Sequence, residues 1–111
     1  MRIDQGLYRL AIGRLLAAVG VDPEQAENVT DNLLWCDMVG RRNPGIERLP
    51  ILLKRVQTGA IKCPCYPQIA RLGLAVGRID ADAGFGHHAG KLGMDLGCEL
   101  ALAIAHRAEV V

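Results

Sequence analysis

The sequence predicts a mainly α-helical domain with one short β element, an α+β arrangement. Four segments carry apolar residues at helical spacing, and one shorter segment alternates with the period of a strand. Half of the residues are hydrophobic but only 4% are aromatic, which favours a core of packed aliphatic side chains. A chain of this length is expected to form a single domain, residues 1–111.

The first helix is predicted over residues 4–19. Asp4 is a suitable N-cap residue, and Gly20 is a suitable helix stop. The side chains expected to face the core are Leu7, Leu10, Ala11, Leu15 and Ala18.

The second helix is predicted to begin at Asp22 and Pro23 and to run toward Gly40. The aspartate can cap the helix, the proline needs no hydrogen-bond acceptor at its first position, and Gln25 could complete a capping box. Trp35 and Cys36, near the end of this helix, are expected to pack rather than to react. The side chains expected to face the core are Ala26, Val29, Leu33 and Leu34.

The run Asn43-Pro44-Gly45 interrupts the helical pattern, because the residue before a proline is displaced from the helical region. A third helix is predicted from Ile46 to Thr58, with Gly59 at its end. Residues 60–68, which include two prolines, are expected to form a loop. The inward side chains of the third helix are predicted to be Leu49, Leu52, Leu53 and Val56.

A period-two alternation that ends near Asp80 predicts one strand. After a turn at residues 81–86, a fourth helix is predicted over residues 87–107. A lone strand leaves backbone groups unpaired, so its partner is expected from another chain or a further domain. The apolar positions of the strand are Leu72, Leu74 and Val76. The inward positions of the helix are Leu92, Leu96, Leu100 and Ala103.

Charge and hydropathy exclude two classes of partner. The formal net charge is +1, and the basic residues are spread along the chain without interleaved aromatics, so no nucleic-acid interface is expected. No run of 18 apolar residues is present, so no membrane span is expected. Polar residues near the amino terminus do not fit a secretory signal, and we expect a cytoplasmic protein.

The cysteines and histidines allow one metal hypothesis. Zinc could be bound by Cys63, Cys65, His87 and His88, since zinc accepts thiolate and imidazole ligands. The spacing of the cysteines is C-x-C rather than C-x-x-C, and the favoured interpretation is a proline-rich turn without a metal. Adjacent residues on a helix cannot both face one site, so the histidines are expected to form an exposed pair.

The segment from Gly84 to Ala89 matches the G-x-G-x-x-A dinucleotide fingerprint, after a predicted strand and at the start of a predicted helix. Gly84 and Gly86 are the candidate cofactor-binding residues, because glycines let backbone N–H groups approach a pyrophosphate. The fingerprint also requires a second strand that ends in an acidic residue about 20 positions later. The sequence stops where that strand would begin, so a tight turn is the favoured interpretation.

The segment from Asp37 to Pro50 reads D-M-V-G-R-R-N-P-G-I-E-R-L-P. It resembles the signature of the malate/L-lactate dehydrogenase type 2 family, which usually reads D-x-x-G-x-x-S-H-G-x-x-R-L-P. Residues 20–26, 59–61 and 80–94 resemble further family segments in the same order. The resemblance implies the amino-terminal helical part of that fold, which is not a Rossmann fold, and a portion of a longer architecture.

The resemblance also implies an oxidoreductase that transfers a hydride between NAD or NADP and a small 2-oxo or 2-imino acid. The family's catalytic histidine belongs to a Ser-His pair, and those positions are Asn43 and Pro44 here. Arg48 matches a family arginine near the substrate, where its fork could hold a carboxylate. The alternative for Arg48 is a solvated helix-start residue paired with Glu47 or Asp37, and Asp37 is expected to cap or pair locally.

Proline has no proton to give, and the family's nicotinamide-binding part would lie beyond Val111. We therefore expect a truncated or degenerate amino-terminal domain that is inactive alone and binds no cofactor itself. An aliphatic surface and an unpaired strand favour a homo-oligomer or a complex with a full-length relative. Two alternatives are a helical dimerisation or interaction module, and a nucleotide-binding fragment that uses Gly84 and Gly86.

Overall fold

The computed structural model describes residues 4–110 as four α-helices and a two-stranded antiparallel sheet, which confirms the predicted α+β class. None of the helices in this range is long and apolar enough to cross a lipid bilayer. The helices are α1 (Gln5–Ala18), α2 (Pro23–Met38), α3 (Leu49–Gln57) and α4 (Gly86–Val110), with a 3-10 turn at Ile46–Arg48; the strands are β1 (Gln68–Arg71) and β2 (Gly77–Asp80).

Both predicted N-caps are present. Asp4 accepts a hydrogen bond from the backbone N–H of Gly6 at 2.9 Å, and Asp22 accepts one from that of Gln25 at 3.4 Å. The predicted capping box is wrong, because the Gln25 side chain is buried and donates to the Cys65 carbonyl at 3.3 Å. Gln25 therefore holds the loop after α3 against α2.

Helix α1 packs on α2 through a face that differs from the prediction. Ile12 and Leu16 are 1% and 0% exposed, and Tyr8 packs against the same core one turn earlier. Both sides of α1 are apolar, so the helical period alone cannot select the buried side, and contact with α2 selects it. The predicted inward residues are all exposed: Leu7, Leu10, Ala11, Leu15 and Ala18.

The inward faces of α2 and α3 are as predicted. Cys36 is buried, whereas Trp35, which was also expected to pack, is 57% exposed. Leu53 is half-buried. The remaining predicted residues are buried in the main core: Ala26, Val29, Leu33, Leu34, Leu49, Leu52 and Val56.

The third helix is shorter than predicted because of Pro50. In an α-helix the residue four positions after Ile46 would donate its N–H to the Ile46 carbonyl. That residue is Pro50, which has no N–H. The Leu49 N–H donates to that carbonyl instead, which winds Ile46–Arg48 as a 3-10 turn. Arg48 therefore lies in the 3-10 turn immediately before α3.

The prediction of a lone strand is wrong, because β1 and β2 pair with each other, with Ile69 opposite Ile79. The predicted apolar positions Leu72, Leu74 and Val76 lie in the turn between the strands and are exposed. The Leu72 N–H donates to the Val76 carbonyl at 2.9 Å. Alternation of apolar and polar residues identifies a strand when one face of the strand is buried. Within the described fold, no helix or sheet covers residues 72–76.

The hairpin packs on α4 through β2. A Cβ atom at Gly77 would lie 2.4 Å from Leu96 Cδ2, so the β2 backbone rests directly on the helix. Leu96 and Leu100 are buried and Leu92 is half-buried, as predicted, whereas Ala103 is exposed. All side chains of residues 101–107 are exposed, so this part of α4 projects from the described body.

A tight turn joins β2 to α4. Asp82 and Ala83 have φ angles of 53° and 57°, and the Gly84 N–H donates to the Ala81 carbonyl at 3.0 Å. The pKa of Asp82 is lowered, first by the hydrogen bond from the Tyr66 backbone N–H and then by the bond from Lys62. This carboxylate therefore ties the turn to the loop before β1.

Replacement Ala83→Gly is expected to raise the free energy of unfolding by about 1 kcal/mol, because alanine is disfavoured in the left-handed region and glycine is not. Ala11→Gly, at an exposed position inside α1, is the control and is expected to lower that free energy by about 1 kcal/mol. Urea denaturation followed by circular dichroism measures both changes. A loss of stability in Ala83→Gly would contradict the backbone conformation described for this turn.

Candidate functional site

The loop between α2 and α3 is organised by the Asp37 carboxylate. Its Oδ2 accepts a hydrogen bond from the Ile46 backbone N–H at 3.2 Å and so caps the 3-10 turn that contains Arg48. A Cβ atom at Gly45 would lie 2.0 Å from Asp37 Oδ1, so a larger residue there would displace the carboxylate. Asp37 has the local capping role that was predicted, and it fixes the turn that carries Arg48.

Asn43 and Pro44 lie exposed in the same loop, at the positions of the family's Ser-His pair. The Gly45 N–H donates to the Arg42 carbonyl at 2.9 Å and closes the turn around them. Neither side chain is an acid or a base, since an asparagine amide does not titrate and a proline has no polar side-chain atom. These two residues shape the loop and supply no group for proton transfer.

Arg48 is half-buried and makes no ion pair within residues 4–107. The pairing with Glu47 or Asp37 that was considered from the sequence is therefore not present in this part of the chain. The charge of Arg48 contributes, after burial, to lowering the pKa of His87 at the start of α4. The electrostatic influence of Arg48 thus reaches an imidazole from a distant part of the sequence.

His87 has two unusual properties. Its Nδ1 is buried without a hydrogen-bond partner within the described residues. Its pKa is lowered from the ordinary value of 6.5, first by burial and then by the nearby Arg48 charge. Both causes disfavour the imidazolium, so the ring is neutral at neutral pH.

The expectation of an exposed histidine pair is wrong. His88 is 5% exposed, and the Asn28 side-chain amide donates to its Nδ1 at 2.8 Å. His87 is half-buried on a different side of α4. His88 is therefore a structural residue that holds α4 against α2, while His87 belongs to the site.

His87 lines a cavity of about 510 Å³ between α2 and the first turns of α4. A Cβ atom at Gly86 or Gly90 would meet no atom within 4 Å, so the α4 wall is open at both glycines. The lining residues are Asn28, Asp31, Asn32 and Trp35 from α2, and Gly86, His87, Gly90 and Lys91 from α4. Polar groups and one indole ring therefore surround a space beside His87.

The Gly84–Gly86 turn differs from a dinucleotide-binding turn in two respects. A Cβ atom at Gly84 would lie 2.3 Å from Cys65 Sγ, so the absence of a side chain there serves the packing of the turn. The preceding strand β2 belongs to an antiparallel hairpin, whereas the fingerprint belongs to a parallel βαβ unit. The described residues therefore do not fit a pyrophosphate of NAD or NADP at this turn.

The cysteines of the C-x-C segment act as hydrogen-bond donors. Cys63 Sγ donates to the Gly20 carbonyl and Cys65 Sγ donates to Gln25 Oε1, each at 3.1 Å. Burial, followed by the neighbouring Cys65, raises the pKa of Cys63, which favours its protonated form. Within residues 4–110, no group of three His, Cys, Asp or Glu side chains could hold a metal ion.

Sequence reasoning identified Arg48 but missed His87. The signal in the sequence was His87 itself, which follows Gly86 at the predicted start of a helix. A side chain at a helix start can contact a neighbouring loop. No periodicity could show that the charge of Arg48 influences His87, because that influence depends on the packing of α4 on α2.

Comparisons with known proteins agree with this fold. The sequence matches the malate/L-lactate dehydrogenase family over residues 7–105. A malate dehydrogenase from Pyrococcus abyssi is 33% identical over 88 residues, which cover 79% of this chain and 24% of that protein. The structure of malate dehydrogenase from Pyrococcus horikoshii OT3 is similar with a TM-score of 0.85 and 29% identity, over 91% of this chain and 29% of that chain.

A second solved structure shows the same fold at lower identity. It is the delta1-piperideine-2-carboxylate reductase from Pseudomonas syringae, with a TM-score of 0.85 and 23% identity, over 94% of this chain and 31% of that chain. The chain spans about a quarter of the length of the curated malate dehydrogenases that it matches. Because the family match extends over most of the 111 residues, this chain belongs to the malate/L-lactate dehydrogenase family.

Proposed function

We propose that this chain is the amino-terminal portion of a cytoplasmic NAD(P)-dependent oxidoreductase, and that it forms the substrate-facing part of the active site. The proposed reaction is hydride transfer between NAD or NADP and a small 2-hydroxy, 2-oxo or 2-imino acid. The proposal is supported by the Arg48 turn that Asp37 caps and by the half-buried His87, whose pKa is lowered by burial and by the Arg48 charge. The malate dehydrogenases among its relatives support a 2-hydroxy acid as the substrate class.

Arg48 is proposed to bind the substrate carboxylate. It is half-buried in a capped turn and has no carboxylate partner within residues 4–107. A guanidinium can hold a carboxylate through two parallel N–H···O hydrogen bonds, which fixes the orientation of the acid. The Asp37 cap on the turn then serves to position Arg48.

His87 is proposed to move the proton. Its lowered pKa keeps the imidazole neutral at neutral pH, the form that accepts the hydroxyl proton when a 2-hydroxy acid is oxidised. In the opposite direction the imidazolium returns that proton to the oxygen of the 2-oxo acid. His87 can therefore supply the acid/base function that Pro44 cannot.

The part of the reaction that requires NAD or NADP is not assigned to the described residues. The Gly84–Gly86 turn does not fit the cofactor, and the chain corresponds to about a quarter of its curated relatives. We propose that the cofactor is held by other parts of the family architecture and that this chain alone is a truncated or degenerate form without activity.

Binding of lactate is expected to raise the pKa of His87, because the bound carboxylate offsets the Arg48 charge that lowers it. In Arg48→Gln the pKa of His87 is expected to be higher before lactate is added and to respond less to it. NMR titration of the imidazole protons measures both effects, with the exposed neighbour Arg42→Gln as the matched control. An unchanged His87 pKa in Arg48→Gln would contradict the proposed pair.

The purified chain is expected not to oxidise NADH or NADPH in the presence of 2-oxo acids, and the double replacement of Asn43→Ser and Pro44→His is expected not to create activity. Holding a reactant in position supplies a large share of barrier reduction, so an added acid without a positioned cofactor is insufficient. Absorbance of the reduced cofactor measures turnover. Turnover by the unmodified chain that is lost in Arg48→Ala would overturn the proposed inactivity.

A second candidate role, self-association, is favoured by the outward face of α1. Its apolar residues are exposed over the length of the helix, with Leu7, Leu10 and Leu15 at 60%, 52% and 47%. Exposed apolar surface of this kind marks interfaces in many proteins. We propose that this face contacts a second copy of the chain or the matching part of a full-length relative.

Leu10→Gln is expected to shift the isolated chain from dimer to monomer, because it places an amide in the centre of the α1 face. Leu74→Gln, which also replaces an exposed leucine but lies in the hairpin turn, is the control and is expected to leave the mass unchanged. Light scattering across a range of protein concentrations measures the mass. A monomer at all concentrations, or a loss of association in the control alone, would contradict this role of α1.

A further inference from the structure

We infer that the substrate is a 2-hydroxy acid, or its 2-oxo form, whose side chain is a flat ring, and that this ring lies in the cavity against Trp35. The inference rests on the proposed function, in which Arg48 holds the carboxylate and His87 faces the hydroxyl group. His87 lines the cavity together with Trp35. A substrate whose hydroxyl group lies at His87 can therefore place its side chain in the cavity.

Trp35 is an aromatic side chain on an otherwise polar wall. The other residues that α2 contributes to the cavity are Asn28, Asp31 and Asn32, which share one helical face with it. The indole is 57% exposed, so the core does not account for its place on this face. An aromatic ring stacks on, or meets the edge of, another aromatic ring at close range. Trp35 is suited to the flat side chain of a ligand.

Gly86 and Gly90 form the opposite wall, one helical turn apart. A Cβ atom at either position would meet no atom within 4 Å, so glycine is not required there by packing of α4 on α2. Glycine is less favourable than alanine inside a helix, yet it leaves the space in front of the backbone open. The resulting cavity of about 510 Å³ has the size of a small-molecule site.

The charges of the cavity favour an uncharged ring over a second carboxylate. Asp31 forms an ion pair with Arg9, and Lys91 forms one with Asp95. Lys91, the lysine of the cavity lining, therefore already has a carboxylate partner. A second substrate carboxylate would meet Asp31 without an unpaired cation to offset it. A ring that is neutral avoids this repulsion, and the Asn32 amide can serve a polar substituent on it.

The test uses Trp35 itself, which is the only tryptophan of the chain, as a fluorescence reporter. The probes are 3-phenyllactate, 3-cyclohexyllactate and lactate, which share the carboxylate and hydroxyl group and differ in the side chain. Phenyllactate is expected to quench Trp35 and to bind roughly three- to tenfold more tightly than cyclohexyllactate, because only the flat ring can stack. Equal affinities of these two probes would overturn the ring assignment.

Two variants separate a binding role from a structural one. Gly90→Leu fills the open wall with a good helix former, so it is expected to keep or increase thermal stability while it weakens phenyllactate binding by roughly tenfold. Trp35→Leu is expected to remove the preference for phenyllactate over cyclohexyllactate, as measured by ligand-observed NMR. A preserved preference in Trp35→Leu, or unchanged phenyllactate affinity in Gly90→Leu, would overturn the inference.

Arg48→Gln distinguishes this inference from the proposed function. Loss of all three probes in Arg48→Gln, with a preference for phenyllactate in the unmodified chain, supports both. Loss of all three without such a preference supports the acid-binding role and overturns the ring assignment. Binding of phenyllactate that is unaffected in Arg48→Gln overturns the proposed role of Arg48, and with it the 2-hydroxy acid assignment.

Discussion

The site depends on the hydrogen bond between Asn28 of α2 and His88 of α4. The Asn28 amide donates to His88 Nδ1 at 2.8 Å, and Phe85, just before α4, is 2% exposed in the main core. This polar contact and the apolar anchor next to it hold the first turn of α4 on α2. Because His87 precedes His88, the same docking fixes the position of its imidazole on the wall of the cavity between the helices. A buried polar residue thus determines where the neighbouring functional side chain lies.

The position of the proposed acid/base residue is the main difference between the family signature and this chain. The position that resembles the signature's histidine is Pro44 here, and that replacement alone predicts a loss of function. The structure offers another imidazole, His87, whose pKa is lowered by burial and by the Arg48 charge. The consequences of a substitution in a signature therefore depend on the other groups that the fold brings to the same site.

Much of the fold could be predicted, since local chemistry determines the helix ends. Asp22 with Pro23 marked the start of α2, and the spacing from Ala26 to Leu34 marked its buried face. The buried face of α1 and the β hairpin could not be predicted, because both depend on which neighbouring element covers an apolar surface. For the site, Arg48 followed from a resemblance, but its influence on His87 depends on the packing of α4 and α2. Trp35 was expected to pack, since a helical pattern does not distinguish an indole in the core from one that lines a cavity.

The projecting half of α4 has a mechanical consequence for the hairpin. β2 rests on α4 at Leu96, and the ion pair between Arg71 and Glu99 fastens β1 to the same helix. The hairpin and the second half of α4 therefore pack together as one unit, and the first turn of α4 is held on α2 at His88. The same helix contributes Gly86 and Gly90 to the wall of the cavity. One helix therefore carries both the hairpin and a wall of the place where the substrate is proposed to bind.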